Sequence, residues 1–225
     1  MKHDELTRRA LLVGAAALPL AACEAPDGLD FTTVKGAVGT ALGITDPPSI
    51  TLKQASQIPY GTIGYRIGGG GESLLILASQ IEQTLLWTSP DRVALSTRGG
   101  RIIKSAGFRW NLSDSTFSDD DPVQNGSLLS MTIVKAMSTN DFSDIARYGV
   151  PISSLFEKRG LETITILGQE LQTISVVETR TCNTFGWSFQ NIYWLDSQTG
   201  FVWRSEQSIH PNLDAITVET LRPSG

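Results

Sequence analysis

A dozen short runs rich in β-branched and aliphatic residues most strongly constrain how this 225-residue chain can fold. Such side chains fit the half-buried surface of a pleated sheet, and runs of this length are typical of strands. Hardly any helical periodicity interrupts them. The predicted strands are residues 62–67, 73–80, 85–88, 92–97, 101–104, 128–134, 150–157, 162–167, 170–179, 186–194, 201–208 and 215–221.

Residues that favour turns separate these runs. They include the four glycines at 68–71, the Ser-Pro-Asp at 89–91 and the pair Gly99 and Gly100. Residues 167–169 and 196–200 have the composition of hairpin connections. Glycine supplies the positive φ values that tight turns need. Short strands joined by tight turns predict an all-β fold, an antiparallel β-barrel or a barrel-like sandwich.

One short helix is predicted before the strands. Asp30 can cap it, and the apolar residues at 31, 34, 38 and 42 fall on one helical face. Gly43 is placed to end this helix, and the Asp-Pro-Pro at 46–48 breaks the pattern. We expect this helix and the strands to form a single domain over residues 30–225.

The first 22 residues have the layout of a signal peptide. Arg8 and Arg9 precede an apolar run at 10–22, which is shorter than the ~20 residues that a membrane-spanning helix needs. The pattern at residues 7–12 has the form of a twin-arginine export signal. We therefore interpret residues 1–22 as an export signal rather than a membrane helix.

The end of this signal, Leu-Ala-Ala-Cys at residues 20–23, resembles the lipobox of bacterial lipoproteins. The resemblance implies that Cys23 accepts a diacylglyceryl group and becomes the first residue of the mature protein. Residues 23–29 then form a lipidated tether, and the membrane is a partner through Cys23. Glu24 is not the aspartate that favours retention in the inner membrane. We expect the periplasmic face of the outer membrane.

Charge and cysteine content exclude several classes of protein. Without residues 1–22 the chain keeps 15 of 18 basic and 21 of 23 acidic side chains, a net charge of −6. This acidic balance lacks the cationic surface that nucleic acid binding requires, so no nucleic acid partner is expected. Cys182 is the one thiol left beside Cys23, so no internal disulfide is expected.

The residues offer little for catalysis. His210 is the only histidine after the signal, and it falls in a predicted turn where we expect it to be exposed and unpaired. A catalytic triad or a zinc site of common ligands is therefore not expected, nor is any cofactor or metal. Residues 111–127, with three aspartates at 119–121, are predicted to be a solvated loop. Glycoside hydrolysis stays open because it needs only two carboxylates.

Five residues are candidates for glycan binding, because aromatic rings stack on sugar faces and arginines donate to hydroxyls. The alternative for each tryptophan is a place in the core, where aromatic side chains are common. Trp187 and Phe189 alternate with polar residues, so they should share one face of a strand. The candidates are Trp87, Trp110, Trp187, Arg98 and Arg101.

Four segments of the chain resemble the YjbF/GfcB family of lipoproteins, which are encoded with group 4 capsule and related exopolysaccharide genes. The segments are QASQIPY at 54–60, WTSPDR at 87–92, TRGGRIIKSAG at 97–107, and the stretch from Tyr-Trp-Leu-Asp at 193–196 through 199–205 to Leu-Arg-Pro at 221–223. None of them is a catalytic signature.

The resemblance implies a β-barrel-like outer-membrane lipoprotein with a part in polysaccharide export or assembly, and it supplies no catalytic residues. A non-catalytic accessory role with polysaccharide-export proteins as partners ranks first. A polysaccharide-binding module of the same pathway ranks second. A lipid carrier and a polysaccharide-modifying glycosidase remain as further alternatives.

Replacing Cys23 with alanine removes the thiol that would carry the lipid. We expect Cys23→Ala to remain an unlipidated precursor, detected by loss of palmitate labelling, even if the barrel folds. Cys182→Ala should keep the label. Recovery of the wild-type protein in the soluble periplasmic fraction after a gentle wash would contradict the predicted anchor.

Overall fold

A computed structural model describes residues 50–224 of the chain. The predicted signal, Cys23 and the predicted helix at residues 30–42 lie outside the described residues. Over 50–224 no helix is both long enough and apolar enough to cross a bilayer.

Residues 50–224 form twelve β-strands, one α-helix and one short 3-10 helix at Ser143–Ile145. The α-helix, α1, is Leu52–Gln57, and the Thr51 side chain caps it together with Gln54. The strands are β1 Thr62–Ile67, β2 Ser73–Ile81, β3 Thr84–Thr88, β4 Ala94–Arg98, β5 Arg101–Ala106, β6 Asp114–Phe117, β7 Ile133–Phe142, β8 Arg147–Ile166, β9 Gln169–Cys182, β10 Trp187–Asp196, β11 Val202–Gln207 and β12 Ile216–Arg222.

All twelve strands of the described chain belong to one antiparallel sheet, in the order β5-β4-β3-β2-β1-β12-β11-β10-β9-β8-β7-β6. The first and last strands, β1 and β12, pair directly with each other. The two edges of the sheet, β5 and β6, are neighbours in the chain and approach each other through the loop between them. There Ser105 N–H donates to the Leu112 carbonyl oxygen at 2.8 Å. The result is a nearly closed barrel, which confirms the predicted all-β fold class.

The side chain of Gln207, on β11, forms hydrogen bonds across the barrel interior with backbone groups at the edge of β5. Ile102 N–H donates to Gln207 Oε1 at 2.9 Å, and Gln207 Nε2 donates to the Gly100 carbonyl oxygen at 2.8 Å. A buried backbone group without a partner is costly, so these bonds take the place of a neighbouring strand. They draw β5 against β11.

Buried apolar side chains of residues 50–224 form two clusters inside the barrel. The larger contains Ile63, Trp87 and Phe142, and the smaller contains Phe156 and Tyr193. Alternate residues of strands such as β7 and β10 are buried, which is the pattern that closes a barrel around a filled core.

Most of the predicted strands are confirmed, and four regions differ. Residues 128–132 form turns, and β7 begins only at Ile133. The runs at 150–157 and 162–167 belong to the single 20-residue strand β8, which bends at an irregularity between Lys158 and Leu161. The polar loop predicted at 111–127 contains the short strand β6. The helix α1 was not predicted from the sequence. Pairing with a neighbouring strand overrides the local pattern at β6 and β8, and the Thr51 cap supports α1.

The Gln207→Leu substitution tests whether this side chain holds the β5 edge. It removes the partner of the buried Ile102 N–H and one partner of the Gly100 carbonyl, so we expect the free energy of unfolding to fall by about 2 kcal/mol. Urea unfolding followed by tryptophan fluorescence measures it.

The matched control is Gln190→Leu, at an exposed position on β10 whose side chain faces outward. Its free energy of unfolding should stay within about 0.5 kcal/mol of wild type. Equal losses in the two variants would show that Gln207 has no special role at the edge.

Candidate functional site

The turn between β4 and β5 forms one side of the candidate site. Gly99 and Gly100 have φ values of +54° and +81°, which glycine adopts without strain. A Cβ atom at Gly100 would lie 2.5 Å from Cβ of Val202. The turn can therefore pack against β11 only because residue 100 has no side chain.

A cavity of about 250 Å³ lies between this turn and the inner wall of the barrel. Ile63, Trp87 and Val218 line it from strands β1, β3 and β12, and the loop that includes Leu128 covers it. Phe201 lies at the rim and is 38% exposed, so the cavity reaches the surface there.

A network of buried charged side chains lies next to this turn and is centred on Arg101. Only 1% of Arg101 is exposed, although it is the first residue of β5. Its Nη1 is 2.6 Å from Asp121 Oδ2, and its Nη2 is 2.9 Å from Glu178 Oε1. Its Nε donates to Tyr193 Oη at 3.2 Å. One guanidinium thus joins an edge strand, a loop and the opposite wall.

Glu178, on β9, is the acceptor at the centre of the network. In addition to Arg101, Ser154 Oγ donates to its Oε1 at 2.7 Å, while Asn191 Nδ2 and Tyr193 Oη both donate to its Oε2 at 3.0 Å. Arg180 Nε is also 3.4 Å from Glu178 Oε1. Both carboxylate oxygens are therefore fully engaged by protein groups.

The network contains two arginines and two carboxylates, so its formal charges balance. These charges shift the pKa values of Glu178 and Arg101. Burial alone would raise the pKa of Glu178, but the positive charges of Arg101 and Arg180 and the donated hydrogen bonds lower it to about 2. Burial alone would lower the pKa of Arg101, but Glu178 and the other acceptors raise it. Arg101 and Glu178 therefore stay ionised at neutral pH and serve as an internal crosslink.

The five predicted glycan-binding residues do not form one site. Trp87 lines the cavity and is 3% exposed, with Nε1 donating to Thr97 Oγ1 at 2.8 Å. Arg98 donates to Gln124 and Thr84, and Arg101 is committed to the buried network. The half-buried rings of Trp110 and Trp187 do not line the cavity.

Trp187 and Phe189 lie on the same face of β10, as the alternation predicts. Their rings stack with centroids 3.8 Å apart, and Arg180 Cζ lies 5.6 Å from the centroid of Phe189. Both rings are half-buried, so each keeps some surface exposed to solvent.

The expectation that His210 is exposed and unpaired is wrong. His210 is fully buried; its ring stacks on Trp110 with centroids 5.4 Å apart and meets Phe142 edge-on. The Asn212 N–H donates to its Nδ1 at 3.0 Å, and its Nε2 is 3.4 Å from Asp144 Oδ1. Burial lowers the pKa of His210, which favours the neutral ring.

The prediction of a solvated loop around the three aspartates is also wrong at Asp121. Asp119 and Asp120 are exposed, whereas Asp121 is 1% exposed and its Oδ1 accepts from the backbone N–H groups of Val123 and Gln124. The loop turns inward because Arg101 binds the other oxygen of Asp121.

Glu178, Tyr193 and Gln207 were not anticipated as members of a site. A signal for Glu178 and Arg180 is present in the sequence, because they alternate with Val176 and Cys182 on one face of β9. Opposite charges two residues apart on an apolar strand face indicate a buried ion pair. No comparable local signal marks Gln207, whose partners on β5 are more than 100 residues away.

Comparison with known proteins agrees with this architecture. The model of the family described as "Group 4 capsule polysaccharide lipoprotein gfcB, YjbF" matches residues 31–221. The chain belongs to this family, which confirms the resemblance found in its sequence.

Two relatives are similar over most of their length. A lipoprotein of Escherichia coli (strain K12), named Uncharacterized lipoprotein GfcB, is 27% identical over 222 residues, covering 96% of this chain and 99% of the relative. The crystal structure of the hypothetical lipoprotein YmcC from Escherichia coli (K12) aligns with a TM-score of 0.65 and 24% identity, covering 88% of this chain and 98% of that one. The structural likeness supports the barrel fold.

Acid should weaken the buried network through Glu178. Because its pKa is about 2 in the folded protein and near 4.5 when unfolded, its stabilisation is complete above pH 4.5 and lost as the pH falls towards 2. Between pH 5 and pH 2, the free energy of unfolding of wild type should fall by about 3 kcal/mol more than that of Glu178→Gln. Urea unfolding at a series of pH values measures both.

The control for this prediction is Glu206→Gln, which changes an exposed carboxylate on β11. Its stability curve should run parallel to that of wild type. A parallel curve for Glu178→Gln as well would contradict the lowered pKa and the role of the network as a crosslink.

Proposed function

We propose that this chain is a lipoprotein held on the periplasmic face of the outer membrane by lipid on Cys23. There it acts as a non-catalytic accessory in the export or assembly of capsule polysaccharide or exopolysaccharide. Membership of a family of capsule polysaccharide lipoproteins supports the pathway. The internal network supports the non-catalytic part of the proposal.

The observation that carries the non-catalytic role is the state of Glu178. A glycosidase needs a carboxylic acid with a raised pKa and a second carboxylate, both facing the substrate. Glu178 instead has a pKa of about 2, and protein donors engage both of its oxygens. Glu178 and Asp121, the two buried carboxylates of the described residues, therefore both bind Arg101 inside the fold.

The outer face of β7 suits contact with a partner protein. Ile133 and Met137 are large apolar residues on this strand, 63% and 52% exposed. Because β6 pairs only with residues 138–141 of β7, the segment near Ile133 has no neighbouring strand on that side within the described chain. Exposed apolar side chains beside an open strand edge favour association with another chain.

Polysaccharide binding is the second candidate function, and the stack of Trp187 on Phe189 favours it. Flat aromatic rings beside a guanidinium suit a sugar face and its hydroxyl groups. Binding should quench or shift tryptophan fluorescence when the cognate polysaccharide is added, and Trp187→Ala should reduce that change. An unchanged wild-type spectrum without retention on a polysaccharide column would exclude this function.

A pull-down of the lipidated protein in mild detergent, from cells producing their exopolysaccharide, tests the accessory role. We expect polysaccharide-export proteins to co-purify, because the proposed role requires contact with them. The double variant Ile133→Lys/Met137→Lys should reduce their recovery at least fivefold. Mass spectrometry quantifies the proteins, and sugar analysis of the same eluate quantifies polysaccharide.

Ile81→Lys is the matched control, since Ile81 is 73% exposed at the end of β2 and away from β7. It should leave recovery unchanged. Polysaccharide without any export protein would favour the second candidate function, and the absence of both would contradict the proposed pathway.

A further inference from the structure

The cavity beside the Gly99 and Gly100 turn is lined mainly by apolar groups. Leu85 and Trp87 project into it from β3, and Val202 and Leu129 lie on its other sides. Its volume of about 250 Å³ corresponds to about eight methylene groups, taking each as close to the ~30 Å³ share of a water molecule. Because most of its lining is apolar, the lining gains dispersion contacts when an apolar group enters.

The polar side chains around the cavity are already satisfied by the protein. Trp87 Nε1 donates to Thr97 Oγ1, Ser205 Oγ donates to the Gly100 carbonyl oxygen, and Thr220 Oγ1 donates to the Val202 carbonyl oxygen. Arg204, the charged residue of the lining, pairs with Glu219 at 2.7 Å.

Buried polar side-chain atoms without a hydrogen bond occur elsewhere. In the described part of the chain they are Ser115 Oγ, Asn140 Oδ1, Arg180 Nε, Trp194 Nε1 and His210 Nε2, and none of these residues lines the cavity. Because the polar groups around the cavity are already bonded within the protein, the cavity offers a sugar fewer hydrogen-bond partners than its hydroxyl groups require, and a buried hydroxyl without a partner is costly. A hydrocarbon chain has no such requirement.

The proposed lipid anchor at Cys23 would hold the domain near a membrane, and the membrane is a source of such a chain. The described residues begin at Ile50, whose N–H donates to Glu72 Oε2 on the barrel at 3.0 Å. From Cys23 to residue 49 there are 27 residues, with a contour length of up to about 90 Å. A domain tethered at Cys23 would therefore stay within reach of the acyl chains of its membrane.

We propose that the cavity of about 250 Å³ beside the Gly99 and Gly100 turn binds the end of one acyl chain of a membrane lipid. The lipid headgroup would remain at the rim near the exposed Phe201. The proposal that a membrane supplies this lipid depends on the proposed anchor at Cys23. Binding of an acyl chain by the cavity does not depend on that anchor. The cavity can therefore be tested in solution, independently of the accessory role.

The test is titration of the purified full-length protein with 10-bromodecanoate, whose bromine quenches tryptophan on contact. Trp87 and Trp203 line the cavity, so saturable quenching is expected. Leu85→Gln puts a polar group into the cavity and should weaken binding at least tenfold. Absence of saturable quenching in wild type would overturn the proposal, and so would equal binding by Leu85→Gln.

Leu86→Gln is the matched control, because Leu86 is an equally half-buried leucine on β3 that does not line the cavity. It should bind like wild type. If Leu85→Gln does not fold, Leu129→Trp fills the cavity from the loop and should abolish binding. Glucose at the same concentration should neither quench nor compete, and competition by glucose would overturn the acyl-chain assignment in favour of a sugar.

Organic extraction and mass spectrometry of protein purified from cells identify the natural occupant. We expect a membrane lipid in wild type, Leu86→Gln and Cys23→Ala, and its loss in Leu85→Gln. Loss in Cys23→Ala alone would assign the cavity to the protein's own anchor and overturn the membrane-lipid proposal. Failure of these tests would leave the partner pull-down unaffected, so the two proposals can fail separately.

Discussion

The contact between Arg101 and Glu178 is the interaction on which the rest of the barrel depends. Strand pairing closes the sheet at β1 and β12 but leaves β5 and β6 unpaired with each other. Arg101 crosses this opening and reaches both Glu178 on the opposite wall and Asp121 in the loop after β6. Removing one partner of a buried ion pair typically costs 3–5 kcal/mol, because the other charge is left uncompensated. Ion pairs therefore bridge the opening where no backbone hydrogen bonds join β5 to β6.

This arrangement also shapes the cavity. Gln207 and Arg101 draw β5 inward, and Gly100 allows its turn to approach Val202. The interior is thereby divided into a polar network centred on Arg101 and Glu178 and an apolar space beside it. A barrel built in this way has no acid free for hydrolysis in the network but keeps room for a small apolar group. The chain belongs to a family of capsule polysaccharide lipoproteins.

The strand pattern was predictable because it depends on local chemistry. The run at β1 matches the observed strand, and the hairpin at residues 167–169 follows from Gly168, which adopts a positive φ without strain. The prediction failed where distant partners decide the outcome. Residues 128–132 are apolar enough for a strand, yet Leu128 and Met131 enter the smaller core cluster from turns. The site was predicted only in part. Trp87 lines the cavity, but Arg101 is ion-paired inside the buried network and does not face a ligand site.

The sequence by itself determined the all-β class, most strand positions and the family, because alternation, turn residues and short motifs are local properties of the chain. Only the tertiary structure decided which charged and polar residues are buried. Arg101 lies 77 residues from Glu178, and Ile102 lies 105 residues from Gln207. Whether such a side chain is solvated or buried depends on a partner that folding brings across the barrel. His210 likewise is buried in a predicted turn because Trp110 and Phe142 enclose its ring.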